Sequence, residues 1–314
     1  MSKGVLLLVD LEGIIGVQNT SSDEHCRILL IDELSHVIST LHKHRFYQIT
    51  VCNIHNDGKL LDNKDAALLN VRLIKGIASL ASLDIQFDFA MLLGFHGMAN
   101  SGGKFGHTFR YDFEKVCFDN QSLGEVGLYT RWLELCKVPV LLVSGEGDFK
   151  KELIPGGHQI HVIDASDGID TTSRYEELNF MVEISIREKI REPHKILDGI
   201  VEIEVDNSDK YILLSKDPYK YCVLYQKFVF SSLNDFFVNL LFFCIALNNA
   251  SDEILRKNLL LAKKIRQQGI QKTDIDLRVR NILNLPINKI DHSARLTIAK
   301  VMNIVNKDDY ANST

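Results

Sequence analysis

The chain has 314 residues, is 46% hydrophobic and carries a formal net charge of −5. That is enough apolar material for one large domain or two ordinary ones. With this acidic balance nothing suggests the clustered basic face that nucleic-acid binding requires, and the longest apolar run, Phe236 to Leu247 interrupted by Asn239, falls short of the ~20 residues of a membrane helix.

The first residues, MSKGVLLLVDLEG, make a poor secretory signal, because the apolar run ends in acid rather than in a small-residue cleavage site. A cytoplasmic protein without membrane attachment is expected. The cysteines, Cys26, Cys52, Cys117, Cys136, Cys222 and Cys244, contain no CxxC pair, so neither disulfides nor a cysteine metal site is expected.

Val5–Val9 is a continuous apolar run, as in a strand buried on both faces. Residues 22–44 space Ile28, Leu29, Leu30, Leu34, Val37, Ile38 and Leu41 as a helix. Gln48–Asn53 reads as a second strand, Ala66–Ser82 as a helix and Phe87–Phe95 as a third strand. Glu114–Phe118 suggests a short extra strand, Gly124–Leu135 a helix, Pro139–Ser144 and His158–Ile163 strands, and Ser173–Lys189 a helix. This rhythm predicts an α/β fold, with a mostly parallel sheet and helices on both faces.

After Pro193 the pattern changes. Val201, Ile203 and Val205 alternate into a hairpin turning at Asp206–Asp209, the stretch YCVLYQKFVFSS adds a strand, and a helix covers 233–249. Residues 251–314 are polar, Lys-rich and helical in pattern. The expected organisation is a catalytic α/β domain over 1–192, a smaller α+β oligomerisation or lid region over 193–250, and a helical C-terminal extension over 251–314.

The first strand runs into LLLVDLEGIIG. Side chains alternate along a strand, so Asp10 and Glu12 are expected on one face where it ends. Ligands gather at the carboxyl ends of parallel strands, and two like charges there call for a cation. The second strand ends at His55 and the third at His96, while Glu125 opens a helix. Each has an ordinary explanation alone: a strand-end histidine caps, a DxE pair makes a turn, a glutamate complements a helix dipole. Together, Asp10, Glu12, His55, His96 and Glu125 form a mixed imidazole and carboxylate set suited to zinc or a similar divalent ion. Five ligands exceed one tetrahedral site and suit two ions about 3.5–4 Å apart, bridged by a carboxylate.

The segments VDLEGIIG, NIHNDG, LLGFHGMA, GHTFRYD and GEVGL resemble the motif series of the DppA-type D-aminopeptidases, a family of zinc metallopeptidases. The resemblance covers roughly residues 4–250, with His107 eleven and Glu125 twenty-nine residues beyond His96, as in the family pattern. It implies a two-zinc site held by Asp10, Glu12, His55, His96 and Glu125, with a carboxylate such as Asp10 as the bridge. It further implies that His107 is the catalytic histidine and not a ligand, with its role as base, acid or nucleophile open. The substrate would be a short peptide or amide with an N-terminal D-residue, and the assembly a ring-shaped homo-oligomer.

The sequence departs from the family between Glu12 and His55, which is shorter, around His107, where glycine and threonine replace serines, and in its last ~65 residues. The same metal site acting on another amide or modified peptide in a biosynthetic pathway is therefore an alternative, as is a non-catalytic peptide-binding relative. A magnesium phosphatase of the haloacid-dehalogenase type would leave His55 and His96 without a role, since Mg²⁺ prefers oxygen ligands. Asp57, Glu146 and Asp148 could meet a substrate ammonium, although NDG and GEGD are ordinary turn sequences.

Overall fold

The computed structural model describes residues 4–18, 21–101, 105–146, 148–153, 161–164, 171–188, 197–205, 222–224 and 227–249. Six strands form a parallel sheet: β1 (Val5–Val9), β2 (Ile49–Asn53), β3 (Arg72–Lys75), β4 (Phe89–His96), β7 (Val140–Glu146) and β8 (His161–Asp164). Their spatial order is β3-β2-β1-β4-β7-β8. Strand β1 is central, and all five of its residues are buried. The chain leaves β1 toward β2 and β3 on one side and later returns to place β4 on the other. The crevice beyond the ends of β1 and β4 is thus the topological switch point where α/β folds bind ligands.

One face of the sheet carries α1 (Asp23–Lys43) and α5 (Thr171–Arg187), packed on each other. Val5, Leu7, Val9, Met91 and Leu93 meet Leu30, Leu34, Val37, Leu178 and Val182 there in one core cluster. Ser22 starts α1 by accepting from the His25 N–H, the usual service of an N-cap serine. On the other face α4 (Glu125–Leu135) packs against β4 and β7, with Tyr129 edge-on to Phe95.

The expected helix over 66–82 is replaced by three elements: α2 (Asn63–Leu69), strand β3 and α3 (Ile77–Ala81). Asn70 stops α2 in the left-handed conformation, with φ 53°, a role asparagine performs well. The chain then pairs with β2 as an edge strand, leaving Arg72 and Lys75 in solvent.

A second, antiparallel sheet contains β5 (Phe113–Phe118), β6 (Gln121–Ser122), β9 (Val201–Val205), β10 (Cys222–Leu224) and β11 (Lys227–Phe230), in the order β10-β11-β9-β5-β6. Strand β9 pairs with β5, so residues on either side of position 193 share one sheet. Val201, Ile203 and Val205 are the buried positions of β9. A helix, α6, occupies 233–249, and its Phe236 and Phe237 pack on Phe109 and Tyr129.

The first compact unit comprises Met1–Ser208 and Tyr221–Phe242. Of the second unit, Asp209–Lys220 with Phe243–Thr314, residues 243–249 are described and are helical. The expected turn at 206–209 and the C-terminal extension lie outside the described residues.

Candidate metal centre

Asp10 and Glu12 do not sit on β1, which ends at Val9; they occupy the turn that follows it. Strand alternation is therefore not what brings them together. The turn is tied to the neighbouring strand by backbone bonds from Asp10 N–H to Leu93 O (2.9 Å) and from Gly13 N–H to Gly94 O (2.8 Å). His55 opens a 3-10 turn just beyond β2. His96 is the last residue of β4, and Glu125 is the first residue of α4.

These elements converge. His55 Nδ1 lies 3.1 Å from Glu12 Oε2 and 3.3 Å from Asp10 Oδ1. His96 Nε2 lies 3.4 Å from Asp10 Oδ2 and 3.5 Å from Glu125 Oε1. Donor atoms of Asp10, Glu12 and His55 all fall within 4.8 Å of one another, and the same holds for Asp10, His96 and Glu125. Asp10 belongs to both groups and turns one oxygen toward each. Asp10, His96, His107 and Glu125 are buried, while Glu12 and His55 are half-buried, so the cluster opens to solvent on the Glu12–His55 side.

The tautomers favour coordination. His96 Nδ1 lies 3.0 Å from Gly97 O; a carbonyl can only accept, so Nδ1 carries the hydrogen and neutral His96 presents a lone pair at Nε2. That Nε2 is buried and makes no hydrogen bond. Burial disfavours charge on His55, but the Asp10 and Glu12 carboxylates push its imidazolium up to about 10. Burial likewise opposes charge on His96, and Asp10 and Glu125 raise it well above the ordinary value. Despite its own burial, Asp10 is held well below the usual carboxylate range by the His55 and His96 imidazoles beside it. The cluster thus demands positive charge, and its oxygen and nitrogen donors suit zinc or a comparable divalent ion.

His107 lies on the loop before β5. Its Nδ1–H donates to Phe105 O at 2.7 Å, and its Nε2 is 3.9 Å from Glu12 Oε1. Its ring stacks between His96 (4.3 Å) and Tyr111 (4.4 Å). Glu12, His96 and His107 form a third group of possible donors. Glu125 Oε1 also accepts from Phe109 N–H at 2.7 Å, which ties the His107 loop to α4. Glu146 ends β7 opposite His96 in register, Asp57 belongs to the His55 turn and Asp148 begins a 3-10 turn after β7.

Two buried glutamates were not expected. Glu33 on α1 accepts from Ile15 N–H (2.9 Å) and from Ser144 Oγ (3.2 Å); burial pushes its carboxyl up to about 7. A signal was present, because Glu33 sits between Leu30 and Val37 on the apolar stripe of α1. Glu152 accepts from Met98 and Gly127 N–H groups, and nothing in the polar stretch DFKKE marks it. Tyr111 was likewise not singled out as a neighbour of His107.

Among the described residues, no helix is long and apolar enough to cross a membrane. The fold is similar to that of the Zn-dependent D-aminopeptidase DppA from Bacillus subtilis, described as a self-compartmentalizing protease. The TM-score is 0.65 at 20% identity, over 77% of this chain and 97% of that one. A D-aminopeptidase of Bacillus subtilis (strain 168) is 26% identical over 161 residues, which are 47% of this chain and 58% of that relative. The D-aminopeptidase family model matches residues 4–207. With most of the chain matched, including every residue of the cluster above, this protein belongs to the D-aminopeptidase family.

Proposed function

We propose that this chain is a binuclear zinc-dependent aminopeptidase-type hydrolase acting on short peptides or amides with an N-terminal D-residue. The observation that carries the two-metal assignment is the position of Asp10, whose Oδ1 and Oδ2 face different imidazoles in two separate donor groups. A carboxylate so placed is a natural bridge between two cations. Asp10, Glu12 and His55 would hold one ion, and Asp10, His96 and Glu125 the other. When bound, zinc supplies Lewis-acid polarisation of the scissile carbonyl and acidifies water for attack.

The chain's own groups do the rest. His107 has its Nδ1–H committed to Phe105 O, so Nε2 is the atom that takes or gives a proton at the reacting centre. The two neighbouring rings restrict its rotation. The open Glu12–His55 side admits the substrate. A ring-shaped homo-oligomer would limit entry to short chains, in keeping with the self-compartmentalizing description of the DppA structure.

The test is a screen of the zinc-loaded protein against paired L- and D-aminoacyl amides and dipeptides. Release of amino acid from the D-series at a rate well above the L-series is expected. Hydrolysis confined to another amide class would favour the biosynthetic alternative, and peptide binding without product would favour a non-catalytic relative.

A further inference from the structure

We propose that Glu152 is a positioning residue that locks His96 and Glu125 into a single metal-binding unit. Glu152 ends the 3-10 turn after β7 and is only 2% exposed. Its Oε1 accepts from Met98 N–H at 2.9 Å, and its Oε2 accepts from Gly127 N–H at 3.3 Å. Met98 lies two residues beyond His96, and Gly127 lies two residues beyond Glu125. One buried carboxylate therefore clamps the exit of β4 to the first turn of α4. These are the two segments whose side chains must hold His96 Nε2 and Glu125 Oε1 at 3.5 Å.

Two further features make the clamp specific. Gly124, the N-cap of α4, provides no side-chain cap, so a free N–H of the first turn is served by Glu152 instead. A Cβ on Gly124 would come within 2.5 Å of Glu152 Oε2 and 2.7 Å of Oε1; the carboxylate fits because this cap is glycine. Arg131 of α4 then fixes the backbone, donating from Nη1 to both Glu152 O (2.9 Å) and Gly127 O (3.0 Å). A glutamine in place of Glu152 has one acceptor oxygen where two N–H groups wait, so it holds one segment and releases the other.

The consequence is selective. The ion held by Asp10, His96 and Glu125 depends on the clamp. The ion held by Asp10, Glu12 and His55 does not, because its turns are tied elsewhere. Partners that orient metal ligands are typically worth about 10–100-fold in metal affinity.

This inference rests on the two-ion assignment, and the experiment separates the two. Full-length wild type, Glu152→Gln and Glu152→Ala are loaded with zinc and challenged with a graded chelator, reading bound zinc by elemental analysis and folding by thermal melting of the metal-free proteins. In wild type two zinc ions should resist the chelator. In Glu152→Gln one should be lost at chelator strengths roughly 10–100-fold lower, with the other retained. Wild-type zinc retention in the folded variants overturns the inference, even if the melting temperature drops, because that is the signature of a helix cap alone. If Glu152→Ala does not fold, the near-isosteric Glu152→Gln decides. Absence of tightly held zinc in wild type would instead remove the metal assignment itself.

Discussion

The imidazole of His107 lies parallel to that of His96, with ring centroids 4.3 Å apart and planes 11° apart. Tyr111 covers the outer face of His107 at 4.4 Å. Both histidines spend Nδ1 on backbone carbonyls, so both turn Nε2 toward the carboxylates. They differ in reach: His96 Nε2 is 3.4 Å from Asp10, whereas His107 Nε2 is 3.9 Å from Glu12. His107→Ala is therefore expected to keep its zinc and lose turnover by roughly 10²–10⁴-fold. Metal content and single-substrate kinetics on the same sample check this. Loss of zinc in the variant would make His107 a ligand, as its grouping with Glu12 and His96 allows.

Sharing of Asp10 between two donor groups has a stoichiometric signature. Wild type should carry close to two zinc ions per chain. His55→Ala and Glu125→Ala each remove a ligand from one group and should each retain about one ion. Asp10→Ala removes a ligand from both, and its zinc content should approach zero. Equal losses in all three variants would point to a single shared ion and not to a bridged pair.

How much of this was legible depends on the kind of signal. Asp10, Glu12, His55, His96 and Glu125 could be read because each ends or closely follows a buried strand or opens a helix, and such ends meet in a parallel sheet. The strand Arg72–Lys75 escaped because an edge strand has no long apolar run; its single buried residue, Ile74, fits a helical spacing equally well. Glu33 and Glu152 escaped for a different reason. Their role lies in which backbone N–H groups they meet, and those belong to segments distant in sequence: Ile15 for Glu33, Met98 and Gly127 for Glu152.

Glu33 makes stability depend on pH in a definite direction. Its carboxyl is raised by burial from 4.5 to about 7 in the folded state, so the folded protein binds the extra proton between these values. Stability from this group is present at low pH and is lost as pH rises through about 7. Glu33→Gln removes the titration yet can still accept from Ile15 N–H and donate to Ser144 Oγ. Relative to wild type, the variant should gain roughly 1–3 kcal/mol between pH 5 and pH 8.5. Denaturant unfolding of both proteins at the two pH values measures it, and a difference that does not change with pH would refute it.

The aim of His96 depends on a backbone irregularity at Gly94. Leu93 belongs to the core under α1 and α5, whereas Phe95 meets Tyr129 of α4. In a regular strand these two residues would share a face. Pairing with β7 shifts register between Leu92 and Phe95, and Gly94 between them has φ +74°. That bulge reverses the alternation, and such re-aiming of a side chain beside a site is a known use of bulges. A side chain at 94 has no room: a Cβ would lie 2.6 Å from Asp10 O and 2.6 Å from the Ile14 side chain. Left-handed strain and crowding together should destabilise Gly94→Ala by roughly 2–4 kcal/mol, a drop in melting temperature on the order of 5–15 °C. The crowding falls on the backbone of Asp10, so the variant that folds should also hold less zinc than wild type. Melting curves and metal content, measured together, test both parts; a variant with wild-type values for each would show that neither the bulge nor its glycine is needed to aim His96.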